Sequence, residues 1–356
     1  MEMLVSFDLP ISNSDLIAVQ DILRQKDIIR TVYLESEFDQ YSFIKYSEQI
    51  ILHKTQFCAI LDRNIFSDII AIAQSKCKNP SETHKTACAL LAFLQITGTL
   101  IEPGVAIYEY IDSGHYEYAE NELLLFRAAD NINPIYYVDI ALGRSTTLPE
   151  NILAVENKYT VKSLKGEDIP HWKLIYGLTL KMAILEIKGE TNFNKVKSLL
   201  QWMYTDYMFI SCNIAFAMIY FSNKRFSGMI KHLKKSGEKL KQGLRNATWD
   251  IYLVHYWSEK VLAQKKNNQI WLLCTEDKAV KEFSRNIIDD TDLQKYREIS
   301  LYKKYLGEKE GQKAYEIYLS LIKNLDNSQR MINTKPKEGK IIDAIIAELK
   351  KELCII

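Results

Sequence analysis

The sequence predicts an α/β protein: buried parallel strands at the core, a helical insertion in the middle and helices at the C-terminal end. Two short apolar runs, Phe57–Leu61 and Ile270–Cys274, have strand length, and an acid follows each within three residues. Uncharged runs this short read as strands buried on both faces. A helical pattern follows each run, over Ile65–Ser75 and Lys278–Asn286, as in a strand–helix unit. Between and beyond them nearly all the periodicity is helical.

In chain order, Ser14–Lys26 reads as a helix with Ser12 or Ser14 as cap. Ile29–Leu34 and Gln49–Leu52 have strand character. After the first buried strand, Ile65, Ile69, Ile70, Ile72 and Ala73 form one helical face. Glu82–Gln95 is a second helix, with Ala87, Leu90, Leu91 and Leu94 on one side. Pro103 fits the first turn of a third helix, where its missing N–H costs nothing, and Gly104 lets the backbone approach a ligand. Further helices are expected at Ile169–Ile187, at Phe193–Phe221 with a break near Asp206, and at Phe226–Leu244. Turn-rich joints fall at Gly143–Glu150 and Gly189–Asn192. Trp249–Gln264 is helical, as is Leu293–Leu325. Met331–Gly339 reads as a polar linker. Lys340–Leu353 closes the chain with Ile341, Ile342, Ile345, Ile346, Leu349 and Leu353 at helical spacing. No repeat of fixed period is evident.

At 356 residues and 47% hydrophobic content the chain holds enough apolar surface for one large domain or two to three ordinary ones. Its formal net charge is +1, so any nucleic-acid role rests on a local basic face. The six cysteines show no Cys-x-x-Cys spacing and several sit in apolar runs, which reads as buried thiols in a reducing compartment. The start carries an early acid and no basic leader pattern, so a cytoplasmic protein is expected. The longest uncharged apolar run, Tyr207–Phe221, is about 15 residues, short of the ~20 a spanning helix needs. A buried helix or an oligomer contact fits it better.

Four segments each carry one acid: Phe57-Cys-Ala-Ile-Leu-Asp62-Arg-Asn64, Thr99-Leu-Ile-Glu102-Pro-Gly104, Ala247-Thr-Trp-Asp250 and Thr275-Glu-Asp277. In an open α/β sheet the ligand crevice lies beyond the carboxyl ends of the strands. Acids gathered there repel one another unless a cation neutralises them. Taken singly, each reads more readily as an ordinary helix cap or surface charge than as a metal ligand.

In this order the segments resemble the PIN-like nuclease family over roughly residues 55–128 and 244–290. The resemblance implies a three-layer α/β/α core with a parallel sheet. It also implies a ligand set of Asp62, Glu102, Asp250 and Asp277, with Asn64 and Thr275 in support. The gap between Glu102 and Asp250 is longer than a compact member has and implies an insertion. The expected organisation is therefore an N-terminal α/β extension (1–54), a first core segment (55–128), a helical insertion (129–243), a second core segment (244–292) and a helical C-terminal extension (293–356).

The implied cofactor is Mg²⁺ or Mn²⁺, held by oxygen ligands with several waters retained. Such an ion lowers the pKa of a bound water and offsets charge on the phosphorane. Asp62 and Asp277 are expected to bind the principal ion, with Asp250 direct or through water and Glu102 on the outer side; one ion or two remains open. Asp68, Glu276, Asp112, Glu117, Glu120, Asp289 and Asp290 read as solvated or turn acids.

Residues 222–245 carry Lys224, Arg225, Lys231, Lys234, Lys235, Lys239, Lys241 and Arg245 against the single acid Glu238. This is either a phosphate-contacting face or a solvated helix face. Lys278 and Lys281 can add phosphate contacts, and Arg63 can do so or pair with an acid. Tyrosines such as Tyr108, Tyr110, Tyr116, Tyr118, Tyr136 and Tyr137 either stack on single-stranded bases or pack. The six histidines lack zinc spacing, and His255 reads as packed. No phosphate loop, dinucleotide turn or nucleophile elbow is present, which argues against a nucleotide-driven motor, a dehydrogenase and an α/β-hydrolase.

The resemblance implies a metal-dependent endonuclease acting on RNA; the expected further partner is a regulatory protein or a second copy of the chain, and no membrane attachment is expected. A structure-selective DNA nuclease is the rival enzyme. The rival outside catalysis is a helical interaction module that docks a partner through Lys340–Leu353.

Overall fold

The computed structural model describes residues 11–32, 38–112, 116–150, 169, 171–222, 229–288, 298–324 and 338–355. Its elements begin with α1 (Asn13–Lys26), β1 (Ile29–Arg30), α2 (Phe43–His53), β2 (Gln56–Leu61), α3 (Arg63–Ala73) and α4 (Glu82–Ile96). Next come β3 (Leu100–Glu102), α5 (Gly104–Asp112), α6 (Tyr116–Asp130) and α7 (Pro134–Ala141). The middle holds α8 (Trp172–Lys188), α9 (Asn192–Thr205), α10 (Ser211–Ser222) and α11 (Glu238–Asn267). The last are β4 (Gln269–Cys274), α12 (Lys278–Ile287), α13 (Ile299–Leu306), α14 (Glu308–Lys323) and α15 (Glu338–Glu352). The chain forms two compact units, Met1–Gly166 with Tyr256–Lys281, and Glu167–His255 with Glu282–Ile356.

The first unit holds a four-stranded sheet in the order β1-β4-β2-β3. β2 runs parallel to β3 and to β4, with Ile60 opposite both Glu102 and Leu273. The sheet is mixed rather than wholly parallel, because β1 pairs antiparallel with β4. Only the outer strand is reversed, so the three parallel strands still end on one edge.

One face of the sheet presents Phe57, Ala59, Leu61, Ile101, Ile270, Leu272 and Cys274 to the core. Helix α4 lies within that core, with every residue from Thr86 to Leu94 buried. Helices α1 and α2 contribute to the same core, with Leu16, Val19, Leu23 and Tyr46 buried in it. The Tyr46 ring lies 4.3 Å from Phe57 and 5.2 Å from Phe93. Each such side chain contributes about 1.5–3 kcal/mol on burial.

Gln49–Leu52, expected as a strand, falls inside α2. Ser42 caps that helix by accepting from the Lys45 N–H, and Phe43, Tyr46 and Ser47 turn inward. Ile51 and Leu52 point outward. β1 is shorter than expected, and residues 33 and 34 of that reading lie outside the described residues. On the second face of the sheet, Trp257 of α11 donates its indole N–H to the Trp271 carbonyl at 3.0 Å.

The second unit is helical. Its α8, α9 and α10 follow the expected spans and the expected break near Asp206. In α10, Ile214–Phe221 are all buried, so the larger part of the longest apolar run is an interior helix. No helix among the described residues is long and apolar enough to cross a membrane.

Phe226–Leu244 is not one helix. Residues 226–228 lie outside the described residues, 229–237 form turns and bends, and α11 starts only at Glu238. His232 and Gly237 take left-handed backbone angles, which stop a helix. Gly243 then lets the Lys231 carbonyl pack directly on α11, where a Cβ would collide with it.

Of the helix expected over Leu293–Leu325, residues 293–297 and 325 lie outside the described residues, and the rest divides into α13 and α14 at Gly307 (φ 80°). The Met331–Gly339 linker lies largely outside the described residues, and Glu338 already opens α15. Ile342, Ile346, Leu349 and Leu353 of the α15 segment are buried, and the helix packs on α8. Four of the six apolar positions of that segment are thus buried within the unit, while Ile341 is exposed and Ile345 half-buried.

Candidate active site

Three of the four expected acids stand at the carboxyl edge of the parallel strands, each one to three residues beyond or at a strand end. Asp62 follows β2, Glu102 ends β3, and Asp277 follows β4. β2 is central among the three, so Asp62 takes the middle position.

Asp62 is 5% exposed. Its backbone N–H donates to the Cys274 carbonyl at 2.9 Å, which continues the β2–β4 ladder past both strands. Its carboxylate Oδ2 accepts from the Thr275 hydroxyl at 2.5 Å. Thr275 Oγ1 in turn accepts the Asp277 N–H at 3.0 Å. Asp277 Oδ1 accepts from the N–H groups of Ala279 (2.6 Å) and Val280 (3.0 Å), so this acid caps α12. A continuous chain of hydrogen bonds thus runs from Asp62 through Thr275 and Asp277 into a helix N-terminus.

Burial pushes the Asp62 carboxyl above the usual carboxylate range. The Thr275 hydroxyl opposes this, the Asp277 charge adds to it, and the amides of Asn64 and Arg63 oppose it. A buried acid facing a second acid is the arrangement a cation relieves.

Glu102 is half-buried, and its Oε1 accepts the Gly104 N–H at 2.8 Å. A Cβ at Gly104 would meet that same Oε1, so glycine lets the carboxylate sit in this position. Glu102 also adds to the upward shift of the Tyr256 phenol, whose first cause is burial. Lys260, one turn along α11, lies 4.9 Å from the Tyr256 ring centre and 5.0 Å from that of Trp271. Tyr256 and Lys260 were not legible as site neighbours; their only signal is the i, i+4 spacing on a helix that covers the sheet.

The oxygens of Asp277 Oδ2 and Glu102 Oε2 make no hydrogen bond among the described residues. An all-oxygen donor set fits a hard cation such as Mg²⁺ or Mn²⁺. No three of the four acids bring ligand atoms within 4.8 Å of one another among the described residues.

Asp250 belongs to the second unit. It lies inside α11 rather than at a helix start, since Thr248 donates its hydroxyl back to the Leu244 carbonyl at 2.8 Å. That mid-helix bond replaces the expected cap.

Asn64 is exposed in the first turn of α3. Arg63 pairs with Glu122 at 2.9 Å and stacks over Tyr110 at 4.1 Å, so its guanidinium is engaged in packing. Lys278 is exposed beside Asp277, whereas Lys281 donates to the Lys26 carbonyl at 2.8 Å. In the second unit Lys231, Lys234, Lys235 and Lys239 are exposed, and Lys241 pairs with Glu238 at 3.4 Å. Arg245 sits over the Trp172 ring at 4.9 Å. Glu276, expected as a solvated or turn acid, is instead half-buried, and its carboxyl is pushed up first by burial and then by Asp68. Lys224, Arg225, Asp289 and Asp290 lie outside the described residues, as do the side chains of Tyr116 and Glu117.

Comparison of the chain with protein-family models, with curated proteins and with solved structures gives no match.

Proposed function

We propose that this chain is a metal-dependent endonuclease with a PIN-like core, cutting phosphodiester bonds in RNA. The observation that carries the reading is the Asp62–Thr275–Asp277 chain of hydrogen bonds on the edge where three parallel strands end. Open α/β sheets bind ligands at that edge, and the acid at its centre is buried beside a second acid.

In this reading Asp62 and Asp277 hold Mg²⁺ or Mn²⁺, and Glu102 completes the outer side. When bound, the ion supplies an activated water and offsets negative charge at the phosphate. The chain's own residues do the positioning. Thr275 fixes the Asp62 carboxylate, the α12 amides fix Asp277, and Gly104 fixes Glu102. Exposed Lys278, beside Asp277, and the lysines of 231–239 are the phosphate contacts of this reading.

The test is incubation of the purified chain with end-labelled single-stranded RNA and DNA in Mn²⁺, with a chelator control. Metal-dependent cutting of RNA, lost in Asp62→Asn and Asp277→Asn, is expected. Faster cutting of DNA would transfer the reading to a DNA nuclease. Absence of cutting on both, or cutting that survives both substitutions, would contradict it.

A further inference from the structure

Away from the strand edge, the joint between α3 and α4 holds a thiol and an imidazole in contact. Cys77 is half-buried in residues 74–81, and its Sγ lies 3.2 Å from His84 Nε2. His84 stands in the first turn of α4, and its ring folds back on the capping residue. The Ser81 backbone N–H donates to His84 Nδ1 at 3.1 Å, with Ser81 Oγ 2.6 Å from the same nitrogen.

This pairing fixes the tautomer. A backbone N–H has only a proton to offer, so Nδ1 is the acceptor and the proton of the neutral ring sits on Nε2. The Nε2–H therefore faces the Cys77 sulfur as a donor. A sulfur that attacks an electrophile does so as an anion, which is an acceptor, and here the donor is already in place.

The other groups around the pair are also defined. Asp68 of α3 places Oδ1 3.6 Å from Nε2, a longer and competing contact. Cys88 of α4 is fully buried, and Asp68 and Cys77 add to the upward shift that burial gives its thiol. Lys76 and Lys78 flank Cys77 and are exposed, while Cys77 itself is partly buried against the core. Lys85 is paired with Glu82 at 3.0 Å. Among the other described cysteines, Cys58, Cys88 and Cys274 are buried, and Cys354 is exposed with no imidazole partner among the described residues.

We propose that Cys77 is a modification site: a reactive thiol, positioned by His84, that exchanges with small disulfides of the glutathione class. In the step, the Cys77 sulfur gives its proton to solvent and attacks one sulfur of the disulfide. A Cys77–sulfur bond forms, the reagent's S–S bond breaks, and its other half leaves as a thiolate that takes up a proton. The disulfide is the sole oxidant.

The folded full-length chain is incubated with oxidised glutathione, and mixed-disulfide formation is followed at each cysteine by peptide mass spectrometry. Cys354 serves as the ordinary surface thiol. Cys77 is expected to react about tenfold faster than Cys354, with Cys58, Cys88 and Cys274 unmodified. His84→Gln should bring Cys77 down to the rate of Cys354 and leave Cys354 unchanged. Asp68→Asn, which removes the negative charge beside the imidazole and leaves only a weaker amide acceptor, should raise the Cys77 rate. Equal rates at Cys77 and Cys354 in the unaltered chain would overturn the proposal, as would an unchanged Cys77 rate in His84→Gln. Should His84→Gln open the fold, the buried cysteines will become modified. Asp68→Asn then decides, and a Cys77 rate that does not rise there overturns the proposal.

Discussion

The Thr275 hydroxyl donates to the Asp62 carboxylate at 2.5 Å, and the same oxygen accepts the Asp277 N–H at 3.0 Å. Its one proton is thereby committed to Asp62. Thr275→Val keeps the shape and removes both bonds, leaving a buried carboxylate oxygen and an N–H without partners. A loss of about 1–3 kcal/mol is expected, read as a lower denaturant midpoint. Thr275→Ser should retain most of it. Equal midpoints for valine and threonine would show that the hydroxyl holds nothing in place.

Asp62→Asn should change how stability depends on pH. Burial and Asp277 raise the folded-state pKa of Asp62 above its unfolded value, despite Thr275. As pH rises from the ordinary carboxylate range through that raised value, the unfolded chain ionises first. The folded state loses stability across that window. Asparagine has no such loss, so in metal-free buffer the variant should match the parent at acid pH and melt higher near neutrality. A variant that melts lower near neutrality would mean that the carboxylate is stabilising as an anion.

Much of this unit was legible in the sequence, for identifiable reasons. The runs around Ala59 and Leu272 are buried on both faces, so an uninterrupted apolar pattern marked them as strands. The acids following them were legible because the strands stop there. Gln49–Leu52 misled because Ile50, Ile51 and Leu52 are β-branched or apolar, while the deciding signal, Ser42 as cap, lies seven residues upstream. The extent of α11 was hidden by Thr248 and Asp250, which look like a helix start until Thr248 is seen to bond back to Leu244. Tyr256 and Lys260 gave no motif at all, since only the packing of α11 on the sheet brings them near Glu102.

Gly104→Ala should act through Glu102. The new Cβ meets Glu102 Oε1, so the carboxylate must swing away and give up the Gly104 N–H. The substitution and Glu102→Gln touch one contact, and their effects on the melting temperature should fall short of additive. Strict additivity would place the two residues in separate roles.

Replacing Lys234, Lys235 and Lys239 by Glu tests the basic segment. All three side chains are exposed. If they touch phosphate, each lost contact lowers the slope of log affinity against log salt by about 0.7 to 0.9, measured with a fluorescent single-stranded RNA in chelator. An unchanged slope would make this segment a solvated surface.

The central claim is that the strand-edge carboxylates form a site for a hard divalent cation, and thermal unfolding with added Mn²⁺ tests it without any substrate. A ligand that binds only the folded state raises the melting temperature by mass action. The parent chain should melt progressively higher as Mn²⁺ rises into the millimolar range, while Asp62→Asn and Asp277→Asn, both folded, should not respond. A parent chain indifferent to Mn²⁺ and Mg²⁺, or variants that respond as the parent does, would contradict the account.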